Sequence, residues 1–261
     1  MSKIKGLKLY ASEGDFMRSS GLSDIGLVRK INEDAYLCEY TNGDATYFIV
    51  ADGMGGRNAG EVASSTAIDY IKDYIKKYSN SANEIPALIK NAILHANEKV
   101  YKKSILSSEC VGMGTTLSLA CILGEKLLIG HVGDSRVYLV RDSKITKLTE
   151  DHSLVEELVK NGTIKPEDAS THPQKNIITR ALGTEYILDV DLYEFDILDG
   201  DFIVLCTDGL SNMVTDKDIL DAIRNNSDVN IICERLVVMA RENGGLDNIT
   251  VIIIKAELGG E

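Results

Sequence analysis

Four aspartates in this chain share one setting: each lies close to glycine, at an end of an apolar run that is typical of a buried strand. They are Asp52 (after 47–51), Asp134 (between 127–132 and 137–140), Asp208 (after 202–206 and Thr207) and Asp247 (before 249–254). Any one of them alone could be an ordinary Asp-Gly turn. Four together are better explained as a site, and like charges in one site repel unless a cation lies between them. We therefore interpret the aspartates as ligands of a metal cluster.

Ligands that are all oxygen favour Mg²⁺ or Mn²⁺ over Zn²⁺. Two such ions about 3.5–4 Å apart lower the pKa of a bridging water and support an in-line displacement at phosphorus. Hydroxide made in this way needs no covalent enzyme intermediate. Arg29 suits the remaining task, because a guanidinium donates to two phosphate oxygens at once. The alternative for Arg29 is a solvated side chain or a structural ion pair with Glu33.

Composition limits the function classes. The chain has 261 residues and a formal net charge of -12, which argues against binding to a nucleic-acid backbone and is compatible with binding cations. No apolar run is long enough to span a bilayer, and the first residues lack a signal-peptide pattern. The five cysteines have no Cys-x-x-Cys spacing and are typical of buried thiols in a reducing compartment. We expect a cytoplasmic protein without nucleic-acid or membrane partners.

The periodicity of the chain changes several times. Short strands are predicted at 23–28 and 35–40, helical spacing predicts a helix at 60–78, and a second helix is expected to start near Pro86. Ser153 with Glu156 is a capping-box pattern for a short helix. Strand runs separated by helix pairs favour packed sheets with helices outside, an α+β architecture without a linker that would divide it.

The ordered motifs resemble those of metal-dependent protein phosphatases, and the chain looks like a bacterial type 2C Ser/Thr phosphatase of the PPM family. The motifs are Asn32-Glu33-Asp34, Val50-Ala51-Asp52-Gly53-Met54-Gly55-Gly56, Gly133-Asp134-Ser135-Arg136, Thr207-Asp208-Gly209 and Asp247-Asn248-Ile249-Thr250. Each motif is weak alone, whereas their joint order is specific. The resemblance covers about residues 23–254 and implies a single domain, a four-layer α/β/β/α sandwich of two antiparallel sheets flanked by helices. A flap subdomain is expected at about 149–183.

The resemblance also implies roles for particular residues. The catalytic carboxylates would be Asp52, which bridges two metal ions, and Asp208 and Asp247, which complete one ion's shell. The carbonyl of Gly53 would bind the other ion, and Glu33, with Asp34, would act through metal-bound water. A third metal site would use Asp134, Asp208 and Asn176, and Arg29 would hold the substrate phosphate. Met54 stands where eukaryotic relatives have a histidine proposed as general acid, so the proton donor to the leaving group is left open.

The residues exclude or disfavour other classes of protein. No cysteine has an arginine six positions later, which excludes a cysteine phosphatase, and Asp189-Val190-Asp191-Leu192-Tyr193 lacks the last residue of a haloacid-dehalogenase motif; we interpret it as an exposed strand face. His131 and His152 are expected to be packed or hydrogen-bonded rather than catalytic. A two-metal phosphodiesterase is disfavoured by the acidic net charge. The main alternative is a non-catalytic module of the same fold that binds phosphoproteins or metal.

The function expected from these residues is metal-dependent hydrolysis of phosphoserine and phosphothreonine in proteins, using two Mn²⁺ or Mg²⁺ ions and a third site. By analogy with the family, the partners would be phosphorylated proteins and the Ser/Thr kinases that the enzyme counteracts in signalling. We expect a monomer.

Overall fold

The computed structural model describes residues 17–55, 59–79, 84–169 and 171–258. Residues 1–16 lie outside these ranges, as does Gly56 of the glycine-rich motif.

The strands are β1 (Met17–Asp24), β2 (Asp34–Asn42), β3 (Ala45–Met54), β4 (Gly114–Thr115), β5 (Leu117–Leu123), β6 (Lys126–Val132), β7 (Arg136–Arg141), β8 (Lys144–Lys147), β9 (Asp191–Asp196), β10 (Phe202–Cys206) and β11 (Ile249–Ala256). The helices are α1 (Ala59–Tyr78), α2 (Ile85–Leu106), α3 (Leu154–Lys160), α4 (Pro166–Ala169), α5 (Asp208–Ser211), α6 (Asp216–Arg224) and α7 (Val229–Glu242).

The strands form two sheets in which every pairing is antiparallel. One has the order β1-β11-β10-β7-β8; the other has the order β2-β3-β5-β6-β9, with β4 paired to β3. Strands β3, β5, β10 and β11 are nearly continuous apolar runs because both of their faces are buried.

Three apolar clusters separate four layers. Alternate residues of β3 and β5 pack against α1 and α2 in the first cluster, and alternate residues of β10 and β11 pack against α6 and α7 in the second. The third cluster lies between the sheets and includes Phe48, Ile203 and Ile252. The predicted α/β/β/α sandwich is confirmed. The assignment of the whole chain to a single domain stays a prediction.

Local sequence signals located most helices well. The helix predicted at 60–78 is α1, and α2 begins at Ile85 with Pro86 in its first turn. At α3, the Ser153 side chain accepts a hydrogen bond from the Glu156 N–H, as the capping box predicts. All five cysteines are free, and four of them are buried. Among the described residues, no helix combines the length and apolarity needed to cross a membrane.

The strand predicted at 23–28 is wrong. Strand β1 begins earlier and ends at Asp24, whose carboxylate accepts a hydrogen bond from the Gly26 N–H at 2.8 Å. Gly26 has φ +78°, which closes a turn that an extended strand would not contain. Apolar residues in this turn imitated a strand pattern although they are exposed.

The sheet registers bring the site residues to one end of the sandwich. Asp34 at the start of β2 lies opposite Asp52 near the end of β3. In the other sheet, Cys206 at the end of β10 lies opposite Val251 near the start of β11, so the segments carrying Asp208 and Asp247 leave these strands side by side. Antiparallel pairing thus makes the two sheets meet at a shared acidic edge.

The C-terminal end of the segment predicted to be a flap, at about 149–183, is fastened to α2 by one buried side chain. Asn97 accepts a hydrogen bond from the Gly183 N–H at 2.7 Å and donates to the carbonyls of Glu185 and Tyr186 at 3.0 and 3.1 Å. Asn97 is only 1% exposed, so water would not readily replace its side chain as the hydrogen-bond partner of these backbone groups.

We expect Asn97→Ala to lower the free energy of unfolding by about 3 kcal/mol, because three hydrogen bonds are lost at a buried position. Urea denaturation followed by circular dichroism measures the change. The matched control is Asn225→Ala, whose single side-chain bond to Asp221 lies on the surface and whose loss should cost less than about 0.5 kcal/mol. Equal losses in the two variants would contradict this role for Asn97.

Candidate active site

The predicted aspartates converge. The pKa of Asp52 is raised well above its usual value, first by burial and then by the negative charges of Asp34, Asp208, Asp134 and Asp247. Burial and the charge of Asp247 likewise raise the pKa of Asp208, and burial with the charge of Asp208 raises that of Asp134 to about 8. With the protein's own groups alone, the ionised cluster is electrostatically unfavourable, so cations would stabilise it.

Three carboxylates of the cluster each have one oxygen atom without a hydrogen-bond donor. Within the described ranges, Asp34, Asp134 and Asp208 each have an Oδ1 that is buried and accepts no hydrogen bond. A buried acceptor without a donor is costly, and such atoms are rare in native proteins. Their concentration in one cluster is the pattern expected where an ion completes the coordination.

The carboxylates are not already spaced as a finished metal site. In the part of the chain that the structure describes, no three His, Cys, Asp or Glu side chains are close enough together to hold an ion without moving. The donor chemistry nevertheless fits a hard divalent ion, because the cluster offers only oxygens and several of them lack partners.

Close backbone packing places Glu33 beside Gly53. The Gly53 N–H donates to the Glu33 carbonyl at 3.1 Å, and a Cβ at Gly53 would collide with the carbonyl of Gly60. A Cβ at Gly60 would in turn lie 2.5 Å from the Glu33 carboxylate. Burial raises the pKa of Glu33. The glycines thus let a helix N-terminus, a strand end and Glu33 occupy one small volume.

Asp34 is held from behind by two hydroxyl groups. Thr207 and Thr250 donate to its Oδ2 at 2.9 and 2.6 Å, and both threonines are buried. Burial raises the pKa of Asp34 to about 7 despite these bonds. Sequence reasoning missed the threonines, although both belong to quoted motifs. The available signal was a Thr at each strand end beside a site aspartate.

Asn248 is another residue whose role was missed. Its side chain donates to the carbonyls of Ile25 and Ile31 at 3.0 Å and accepts from the Glu33 N–H at 2.8 Å. It is 3% exposed, so these bonds are shielded from water. Asn248 therefore fastens the segment before β2 to the start of β11 and fixes Glu33 and Asp247 relative to each other.

Arg29 lies at the exposed mouth of the cluster. Its Nη2 donates to Asp247 Oδ2 at 2.7 Å, and the side chains are 48% and 32% exposed. Arg29 therefore pairs with Asp247 and not with Glu33. The hydrogen bond to Asp247 raises the pKa of Arg29, and the charges of Asp247, Glu33 and Asp52 raise it further. The guanidinium is thus close to the carboxylates but open to a ligand.

The proposed third-metal residues only partly meet. Asp134 and Asp208 line a cleft of about 290 Å³ together with residues from the flap, among them Ser153, Glu156 and Lys175. Asn176 is exposed and is not among the lining residues. A contribution of Asn176 stays a prediction that would require movement of the flap.

A hydrogen-bonded layer supports the cleft from the sheet side. His152 Nδ1 accepts from the Gly133 N–H at 3.0 Å, and its Nε2 lies 3.1 Å from Asp191. Asp191 also pairs with Arg180 at 2.7 Å. The segment 189–193 is thus only partly the exposed face that was expected. His131 is fully buried and bonds to Ser118 and the Glu150 carbonyl, both at 2.9 Å.

A cluster of carboxylates with an exposed guanidinium beside it is chemically suited to metal-dependent cleavage of a phosphate ester. Comparison with known proteins agrees. The model of the family described as protein phosphatase 2C matches residues 28–247. The serine/threonine phosphatase stp of Listeria welshimeri is 36% identical over 244 residues, which cover 93% of this chain and 97% of that protein.

Solved structures agree as well. That of the Mycobacterium tuberculosis serine/threonine phosphatase PstP/Ppp has a TM-score of 0.84 and 36% identity, covering 92% of this chain and 99% of its own. The catalytic domain of PstP in complex with two manganese ions has a TM-score of 0.81 and 35% identity, covering 92% and 97%.

The chain belongs to the protein phosphatase 2C family. The prediction of a bacterial PPM-type Ser/Thr protein phosphatase is confirmed, and with it the enzyme class. Nothing in the comparisons favours the non-catalytic alternative.

Burial of His131 makes the free energy of unfolding depend on pH. Burial, and next the charge of His152, lowers the pKa of His131 to about 4, whereas an unfolded histidine has a pKa of about 6.5. The unfolded state therefore binds more protons between these values, so stability is present above about pH 6.5 and is lost as the pH falls toward 4.

We expect His131 to account for about 3 kcal/mol of the stability lost between pH 6.5 and 4. Denaturant unfolding of His131→Gln across this range should show a fall that is smaller than that of the wild type by this amount. His172→Gln, at a half-buried flap position, serves as the control and should follow the wild type. Parallel curves for His131→Gln and wild type would contradict the assignment.

Proposed function

We propose that this Ser/Thr protein phosphatase hydrolyses phosphoserine and phosphothreonine at the acidic edge, with Asp52, Asp208 and Asp247 as the catalytic carboxylates and Arg29 as the phosphate ligand. The observation that carries the proposal is the convergence of carboxylates with raised pKa values and unpaired oxygens next to an open guanidinium. A structural network would satisfy those oxygens internally.

Divalent ions fit the cluster, and the manganese complex of the related PstP catalytic domain supports two of them. Asp52, Asp208, Asp247 and the Gly53 carbonyl would hold the pair, with Glu33 and Asp34 supporting its ligands; Asp134 and Asp208 would hold a third. Bound Mn²⁺ or Mg²⁺ would supply Lewis acidity, which activates water and offsets charge on the phosphate. We place no covalent phosphoenzyme on the path, in keeping with that chemistry.

Arg29 performs the positioning step. Its ion pair with Asp247 is exposed, so exchanging Asp247 for a doubly charged phosphate costs little. The guanidinium then orients two phosphate oxygens and brings phosphorus toward the carboxylates. Met54 carries no transferable proton, so the proton for the leaving alkoxide comes from elsewhere.

In the cell, we propose that the enzyme acts in the cytoplasm as a monomer and counteracts Ser/Thr kinases in signalling. Free cysteines and the acidic net charge are consistent with such a setting. The same charge disfavours a nucleic-acid partner, because phosphate backbones would be repelled.

The decisive experiment measures phosphate release from a phosphothreonine peptide with Mn²⁺, with Mg²⁺ and with a chelator. We expect release with a divalent ion, none with the chelator, and a loss of at least about a hundredfold in kcat for Asp208→Asn, because a ligand charge is removed at the reacting centre. Asp44→Asn, on the exposed turn between β2 and β3, is the matched control. Full activity of Asp208→Asn, or activity without metal, would refute the site assignment.

A second prediction separates binding from chemistry. We expect Arg29→Ala to raise KM for the peptide about tenfold or more, because a charge-assisted bidentate contact is lost, while Arg29→Lys recovers only part of it. Steady-state kinetics at saturating Mn²⁺ provide both constants. An unchanged KM would contradict the role of Arg29 as a phosphate ligand and leave only its structural ion pair with Asp247.

A further inference from the structure

Three large apolar residues that lie within two chain positions of Arg29 or Asp247 are exposed. Leu27 is 58% exposed, Val28 is 61% exposed and Leu246 is 56% exposed. They lie on two loops, and we call these three residues the apolar rim. Scattered apolar residues on a surface are ordinary, but several of them next to proposed site residues are a candidate interaction surface.

The loops of the apolar rim are rigidly joined. The Leu27 N–H donates to the Gly245 carbonyl at 2.7 Å, and Arg29 pairs with Asp247 across the same gap. The side chain of Asn248 adds a bond to the Ile25 carbonyl at 3.0 Å. A Cβ at Gly245 would lie only 3.0 Å from Leu27, so the loops are in close contact. Because the two loops are already held together, a ligand would not have to order their backbone.

Sequence adjacency fixes the rim's relation to the phosphate site. Val28 directly precedes Arg29, and Leu246 directly precedes Asp247, so their Cα atoms lie about 3.8 Å from those of the ion pair. An extended peptide advances about 3.3 Å per residue, so residues within two or three positions of a phosphorylated residue held by Arg29 reach the rim. The rim is therefore continuous with the proposed substrate site.

We propose that the apolar rim selects substrates with an aliphatic or aromatic residue within three positions of the phosphorylated serine or threonine. This inference rests on the proposed function and adds a specificity determinant to it. Substrates would bury the three side chains against their own apolar residue, which favours binding of the peptide without changing the reacting atoms.

The test compares three phosphothreonine peptides at saturating Mn²⁺: one with leucine on the N-terminal side, one with leucine on the C-terminal side and one with serine on both sides. We expect the wild type to favour one leucine peptide over the serine peptide by about fivefold or more in kcat/KM, as burial of part of a leucine allows. The triple variant Leu27→Ser/Val28→Ser/Leu246→Ser should lose that preference, and Val28→Ser alone should reduce it.

A matched control separates this effect from general damage to the surface. Leu198 is similarly exposed at 53% but precedes β10, at the end of that strand opposite Asp208. Leu198→Ser should keep the leucine preference. Hydrolysis of p-nitrophenyl phosphate, which has no flanking residues, should fall much less in the triple variant than hydrolysis of the leucine peptide.

The results that would contradict this inference differ from those that would contradict the proposed function. No preference for either leucine peptide in an active wild type, or a preference retained by the triple variant, overturns the inference and leaves the proposed function standing. A triple variant that changes the oligomeric state but not peptide preference would make the rim an interface between copies, which also overturns it. Failure of the wild type to hydrolyse any substrate would instead refute the proposed function.

Discussion

Mutual repulsion among buried carboxylates is the constraint on which this structure depends. Burial, together with the negative charges of neighbouring carboxylates, raises the pKa values of Asp34, Asp52, Asp134 and Asp208. Flexible loops would let such groups move apart. Here they are attached to ends of paired strands, and the apolar cores of both sheets oppose their separation. The sandwich thus holds an arrangement that the side chains alone would not adopt.

Support around the carboxylates is mostly neutral. Asp34 accepts from two threonine hydroxyls, and the Asp52 N–H donates to Thr116 at 2.9 Å. Neutral hydrogen-bond partners hold these residues in place without cancelling the charge of their carboxylates, so the negative potential stays available to a cation. Arg29 is different because its side chain is charged and exposed, and it pairs with Asp247 at the surface. Neutral hydrogen-bond partners in the interior and the Arg29 guanidinium at the surface agree with the proposed binding of metal by the carboxylates and of phosphate by Arg29.

The segment predicted to be a flap is fastened at both ends. Near its start, His152 bonds to the backbone of Gly133, directly before Asp134; near its end, Asn97 on α2 binds Gly183 and the residues that follow. Between these anchors lie α3 and α4, whose residues have no fully buried side chains. The anchors therefore couple the flap to the Asp134 cleft, while its middle can differ in sequence without disturbing the core.

The sequence determined the periodic elements and the chemical identity of the cluster. Helix α1, the capped helix α3 and the apolar strands follow from local patterns, and aspartates beside glycine at strand ends indicated an oxygen-ligand site because few other arrangements explain them. Local patterns failed where burial decides the outcome: the apolar residues after Asp24 form an exposed turn rather than a strand.

Only the tertiary structure decided which groups meet. Asn248 bridges three backbone groups, Thr207 and Thr250 converge on Asp34, and Arg29 pairs with Asp247 rather than Glu33. These contacts join residues as far as 223 positions apart in the chain, and their geometry follows from sheet register and layer packing. No local propensity encodes such distances, because they arise from the way the two sheets pack against each other.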